Sequence, residues 1–181
     1  MKHVFVALLR GINVGKAKRV AMADLKALVE GLGYRDVKTL LNSGNVVFTS
    51  TKADGAGAAR KIEKAITETL GVTSRVTVVS AGEIAAAIAK NPHRKIASNP
   101  SRHLVAFFPD DVAVKVLAPF VKKAWAPDAV AASGRVVFLW CPDSILESPA
   151  FTELAKLAKD GVTSRNFATV EKLHALAEAL A

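Results

Sequence analysis

One cysteine, Cys141, in 181 residues excludes an intramolecular disulfide, and no Cys/His cluster has the spacing of a zinc site. No metal or cofactor is expected. Aromatic residues are scarce at 6%. An RNA-recognition sheet would need exposed rings on its central strands. Here only Phe5 and Phe48 are available, and the Lys/Arg-Gly-aromatic run of such modules is missing. Long apolar runs are also lacking. Val4–Leu9 and Val136–Cys141 are strand-length, far short of the ~18 residues that indicate a membrane helix. The Met-Lys-His start has no signal-peptide architecture. These absences exclude a disulfide scaffold, a zinc finger and a membrane span, and the expected location is the cytoplasm. With 51% hydrophobic and 23% charged residues the composition is globular.

Acid is missing locally as well. Lys and Arg number 25 against 16 Asp and Glu, a net charge of +9. Met1–Ala23 holds Lys2, Arg10, Lys16, Lys18 and Arg19 and no acid. Ile84–Pro109 holds Lys90, Arg94, Lys95 and Arg102, again with no acid, and Val112–Pro127 carries Lys115, Lys122 and Lys123 unopposed. Clustered positive charge concentrates anions and speeds their encounter. Nucleic acid and phosphorylated metabolites are compatible partners; solvated faces that serve solubility are the plainer reading of the same runs.

Hydrophobic spacing predicts a strand over His3–Leu9, a basic Gly/Asn loop over Arg10–Val20, and a helix from Met22 to Leu32 ended by Gly33. A hairpin of Val37–Leu41 and Val46–Thr49 turns at Asn42–Asn45. A helix (Ala58–Leu70) and a strand (Arg75–Val79) complete a β-α-β-β-α-β unit. Helix Ala81–Lys90 and the Pro/Asn-rich stretch Asn91–Ser101 then lead to a second series. Its members are a strand Leu104–Phe108, a helix Val112–Ala124 broken at Pro119, strands Ala129–Ala132 and Arg135–Trp140, a helix Pro149–Lys159, an extended stretch Val162–Arg165 and a C-terminal helix Ala168–Leu180. The expected fold class is α+β: two intimately packed ferredoxin-like (βαββαβ-type) halves with mainly antiparallel sheets and an extra C-terminal helix. The divisions are 1–80, a helix and linker over 81–101, and 102–181. Both faces of strand one are apolar, so its second face requires a cover, from the other half or from a second copy in a homo-oligomer.

The loop Arg10-Gly11-Ile12-Asn13-Val14-Gly15-Lys16-Ala17-Lys18-Arg19 is the strongest local signal. Gly11, Gly15 and Asn13 permit left-handed backbone, and four cations share the segment, so it has the makings of an anion cradle. It is neither a P-loop nor a dinucleotide fingerprint. Ser43-Gly44-Asn45 reads as a hairpin turn. If strands one and three are antiparallel neighbours, that turn lies beside Arg10–Asn13. Before the last helix, Arg165 offers a further cation and Ser164 or Asn166 a helix cap. Asp110-Asp111 reads as the cap and first turn of its helix. The histidines have no sequence-local partner, Cys141 reads as a packed thiol, and no acid or base is identifiable as catalytic.

Ala7–Gly15, Met22 and Leu25, Ser43–Phe48, and Arg165-Asn166-Phe167 with Thr169-Val170 and Leu173 resemble the bacterial domain-of-unknown-function 1697 family across nearly the whole chain. Lys16 stands where the family commonly has glycine, and Phe167 where it commonly has tryptophan. The resemblance implies a two-part α+β fold and supplies no reaction, cofactor or catalytic residue. Its recurring residues are Arg10, Gly11, Asn13, Ser43, Gly44, Asn45, Arg165 and Asn166, which serve folding or ligand binding.

The leading expectation is binding of a phosphate-bearing ligand, nucleotide-like or nucleic acid, through Arg10, Gly11, Asn13, Gly15, Lys16, Lys18, Arg19, Ser43, Gly44, Asn45, Arg165 and Asn166. Two other readings remain open. One is an enzyme on a small anionic substrate in the same place, and the other is a structural or regulatory protein whose motifs only shape turns.

Overall fold

Short strands whose central members are apolar on consecutive residues, interrupted by helices with one apolar face, produce two four-stranded antiparallel sheets in the computed structural model, which describes all 181 residues apart from the side chain of Val112. The first series runs β1 (His3–Leu9), α1 (Met22–Gly31), β2 (Arg35–Leu40), β3 (Asn45–Ser50), α2 (Gly55–Leu70), β4 (Val76–Ser80). Its sheet has the order β2-β3-β1-β4, with every neighbouring pair antiparallel. Helix α3 (Ala81–Ala89) follows. The second series is β5 (His103–Phe107), α4 (Asp111–Lys115), α5 (Ala118–Lys122), β6 (Ala129–Ser133), β7 (Val136–Trp140), α6 (Pro149–Ala158), β8 (Thr163–Asn166), and then α7 (Phe167–Glu178). Its order, β6-β7-β5-β8, repeats the first. The chain divides into two compact units, one of Met1–Ile84 with Leu173–Ala181 and one of Ala85–Lys172.

In the first unit Phe5, Ala7 and Leu9 of β1 and Val46 and Phe48 of β3 pack with Leu25 and Val29 of α1 and Ala58, Ile62 and Ile66 of α2. The opposite face of β1 is buried as well, since Val6 and Leu8 are fully inaccessible to solvent. Helix α2 begins where the Asp54 carboxylate accepts the Gly57 N–H at 2.7 Å, and ends at Gly71, whose left-handed backbone (φ 65°) releases the chain. In the second unit Leu104, Ala106, Val137 and Leu139 form a core with Phe120, Trp125, Ala150 and Leu154. Cys141 is buried there, and burial raises its thiol above the ordinary range. Asp110 Oδ1 accepts the Ala113 N–H at 2.9 Å, which caps α4.

Three expectations change in detail. The helix predicted over Val112–Ala124 is two short helices, parted at Val116–Leu117, because Pro119 sits in the first turn of α5 and has no N–H to continue α4. The extended stretch near Val162–Arg165 is a paired strand, β8, hydrogen-bonded along β5. The stretch Asn91–Ser101, read as a loop, contains two 3-10 turns, Pro92–Lys95 and Pro100–Arg102. Each begins at the proline of an Asn-Pro pair, and each Asn side chain accepts a backbone N–H two residues on: Asn91 from His93 and Asn99 from Ser101, both at 3.0 Å.

The first of those turns builds a buried histidine cluster in the second unit. His103 is 1% exposed. It stacks on Phe167 at 4.7 Å, and its Nε2 lies 2.8 Å from the Asn91 amide and its ring 6.2 Å from His93. Arg94 stands over the Phe167 ring, its guanidinium carbon 6.0 Å from the centroid. Burial, and secondarily His93, pull His103 down from its ordinary 6.5 to about 4. Burial also lowers His93, against a raising hydrogen bond to the Phe138 backbone. Both rings are therefore neutral at pH 7. An unfolded chain regains the ordinary histidine value, so stability is full above pH 6.5 and is lost as pH falls toward about 4. The urea unfolding midpoint is expected to drop across that window, and His103→Gln is expected to flatten the drop; a pH-independent midpoint would contradict it.

Candidate functional site

The antiparallel register of β1 against β3 pairs Leu8 with Asn45, and that of β1 against β4 pairs Leu9 with Val76. The end of β1, the start of β3 and the start of β4 therefore share one end of the sheet. There the Arg10–Arg19 loop meets the Asn42–Asn45 turn, as the sequence led one to expect. Leu9 N–H donates to Gly44 O at 2.8 Å, and Arg10 N–H to Arg75 O at 2.9 Å. The Ser74 hydroxyl donates to Arg10 O at 2.9 Å.

Asn13 holds the loop's shape. It adopts φ 55°, and its backbone N–H donates to Lys18 O at 3.0 Å. Its side-chain Oδ1 accepts the Val20 N–H at 2.9 Å while Nδ2 donates to Val20 O at 2.9 Å and to Asn42 O at 2.7 Å. One amide thus closes the loop on itself and ties it to the hairpin turn. Asn45, fully buried, does the matching work inside the hairpin: Nδ2 donates to Leu40 O at 2.7 Å and to Ser43 Oγ at 3.0 Å. Gly44 combines a φ of 82° with contact. A Cβ there would lie 2.8 Å from Leu9 Cβ and 2.6 Å from Ile12 Cδ1. The Ile12 methyl is the end of a flexible side chain, but Leu9 Cβ is fixed to its strand, so the turn requires glycine.

Outside this frame the cations are exposed. Lys16, Lys18 and Arg19 face solvent and, among the described residues, form no ion pair. Arg10 is half-buried at the loop's base. Gly11 and Gly15 turn the loop with φ of 66° and 61°. Sequence reasoning missed Ser74 and Arg75. The same antiparallel argument applied to β4 would have placed them beside Arg10. Arg75 is partly offset by Glu63, whose Oε2 lies 3.8 Å away and whose Oε1 accepts the Val76 N–H at 2.7 Å.

Arg165 and Asn166 lie on β8 of the second unit. Asn166 Oδ1 accepts the Thr169 N–H at 2.9 Å and the Thr169 hydroxyl at 2.7 Å, which is the cap of α7. Arg165 donates from Nη1 to Ser164 O at 2.8 Å, and burial lowers its guanidinium to about 10. Among the described residues, no three His, Cys, Asp or Glu side chains are placed to hold a metal ion, and no helix is long and apolar enough to cross a membrane.

Asn13→Ala removes the partner of the part-buried Val20 N–H and carbonyl and unties the loop from Asn42, so it is expected to cost about 1–3 kcal/mol in urea unfolding and to speed hydrogen exchange at the Val20 amide. Gly44→Ala is expected to cost at least as much, through both strain and overlap. Wild-type stability in both variants would show that these residues do not hold the loop.

The comparison with curated proteins returns no significant match. Among solved structures, a conserved bacterial protein, SP0830 from Streptococcus pneumoniae, superposes with a TM-score of 0.77 at 24% identity, covering 97% of this chain and 99% of that one. That likeness is one of fold. The model of the family described as protein of unknown function (DUF1697) matches residues 1–138. This chain, with its Arg10–Gly15 and Ser43–Phe48 motifs joined at one sheet end, belongs to the DUF1697 family.

Proposed function

We propose that the Arg10–Arg19 loop is a docking platform for the phosphates of an extended polyanion, and that the protein binds a phosphate-bearing ligand, nucleic acid before an enclosed nucleotide. The observation that carries this reading is the contrast within the loop. Its one amide side chain, Asn13, is consumed in holding a fixed shape, whereas Lys16, Lys18 and Arg19 project into solvent without a counter-charge among the described residues. An anchored loop presents cations at lower entropic cost than a flexible one. An open surface of lysine and arginine suits a backbone that passes over it rather than a ligand that must be enclosed.

In this reading Arg10, Lys16, Lys18 and Arg19 supply charge. Gly11, Gly15, Asn13, Ser43, Gly44 and Asn45 supply shape, so the hydrogen-bonding role expected of the amides passes to the frame. Arg165 and Asn166 are not required. The shared strand order of the two sheets, and the packing of α1 and α2 on one face of the first, support taking each series as a ferredoxin-like half.

Anisotropy titrations of a short labelled single-stranded RNA over a range of salt test the platform. The wild-type affinity is expected to fall steeply with salt. Replacing Lys16, Lys18 and Arg19 together by alanine removes three phosphate contacts at ~0.7 each, so the log–log slope is expected to shrink by about 2. The melting temperature should hardly move, because all three side chains are exposed. An unchanged affinity and slope would sink the platform.

A further inference from the structure

At the other end of the first sheet, away from the cationic loop, lies a cavity of about 520 Å³. The segment joining α1 to β2, the loop joining β3 to α2, and the first turns of α2 wall it. Its size falls within the roughly 300–1,000 Å³ of small-molecule sites. Three features of its wall bear on what it could hold.

Asp36 is the first. It takes left-handed backbone (φ 52°) inside an irregularity of the β2–β3 pairing between Arg35 and Lys38. Its carboxylate is held there by the Thr49 hydroxyl at 2.9 Å. A non-glycine residue in that region is strained, and such bulges re-aim side chains beside sites. Tyr34 is the second. Its ring lies on Phe48 with centroids 4.5 Å apart and forms part of the cavity wall. Burial first, and Asp54 second, raise its phenol, so it stays an O–H donor near neutral pH.

Charge is the third feature. Lys2, Arg35, Lys52 and Lys61 line the cavity against Asp36 and Asp54, an excess of two positive charges (four less two). Both acids have an oxygen committed to the protein, Asp36 to the Thr49 hydroxyl and Asp54 to the Gly57 N–H. Among the described residues none of the four cations is in a salt bridge. A phosphomonoester carries about −1.5 to −2 at pH 7 and would neutralise that excess. The apolar part of the wall, Tyr34 with Leu32 and Ala58, suits a flat ring.

We propose that this cavity binds a small aromatic phosphomonoester, its ring against Tyr34 and its phosphate among Lys2, Lys52 and Lys61. The site is independent of the loop platform and shares no residue with it.

Phenyl phosphate, titrated into the full chain and followed by amide nuclear magnetic resonance shifts, tests it, with inorganic phosphate and phenol as controls. Saturable shifts are expected at Tyr34, Asp36, Thr49 and Lys61. Phenyl phosphate should bind at least about tenfold more tightly than inorganic phosphate or phenol. The Lys52→Ala, Lys61→Ala double variant should weaken it by about tenfold and leave the rest of the spectrum in place, since both lysines are exposed. No saturation at millimolar phenyl phosphate would overturn the proposal. Equal affinity for inorganic phosphate would do the same. So would shifts confined to Gly11–Arg19, an outcome that leaves the loop platform standing while removing this site.

Discussion

The antiparallel pairing of β1 with β3 is the constraint on which the rest of the first unit depends. Leu8 opposite Asn45 and His3 opposite Ser50 fix which loops share an end of the sheet. A slip of one residue would exchange the two buried faces of β1 and part Arg10–Asn13 from the hairpin turn. Everything attributed to the loop end follows from that register: Leu9 reaching Gly44, Asn13 reaching Asn42, and Arg10 exchanging hydrogen bonds with Ser74 and Arg75. The same register gathers Thr49, Ser50 and Arg35 at the opposite end.

What was legible in the sequence follows the range of the signals. Strand-length apolar runs and helical spacing placed β1, β3, α1 and α2 within a few residues, because those patterns are local and this core is built from them. The convergence of Arg10–Asn13 with Ser43–Asn45 was legible as well, because it needs only strand order. The purpose of Asn13 was not. A polar side chain offered to a ligand and one that bonds three backbone atoms look alike until the carbonyls of Val20 and Asn42 are in place. The histidine cluster was hidden for a related reason. His93 and His103 are separated by an apparent loop, and only the 3-10 turn after Asn91 brings them within 6.2 Å of each other. The cavity near Tyr34 left no motif, because lysines scattered over α2, a loop and the residue before β1 share no spacing.

Left-handed backbone concentrates in the two loops of the cationic end: Gly11, Asn13, Gly15, Lys18, Leu41 and Gly44 all have positive φ. Glycine takes this conformation without penalty and asparagine nearly so, but Lys18 and Leu41 do not. Leu41 is also half-exposed and buries little in return. A turn of ordinary geometry would connect β2 to β3 without that strain. Strain on this scale persists where surrounding contacts over-determine the backbone. Here the Asn13 and Asn45 side chains do so, each bonding carbonyls that flank the strained residues.

This arrangement separates two roles that a motif conflates. In Arg10–Arg19 the residues with distinctive chemistry, Asn13 and the glycines, are spent on geometry, and the residues that remain available are generic cations. A surface of that kind distinguishes ligands by charge density and path rather than by hydrogen-bond pattern, as phosphate-backbone contacts do. At the other end of the sheet the balance is reversed. Asp36, Tyr34 and Thr49 form a wall of mixed chemistry along a concave cavity, and concavity adds discrimination by shape to attraction by charge. One strand register therefore sets out an open electrostatic surface at one end of the sheet and a shaped, partly polar cavity at the other.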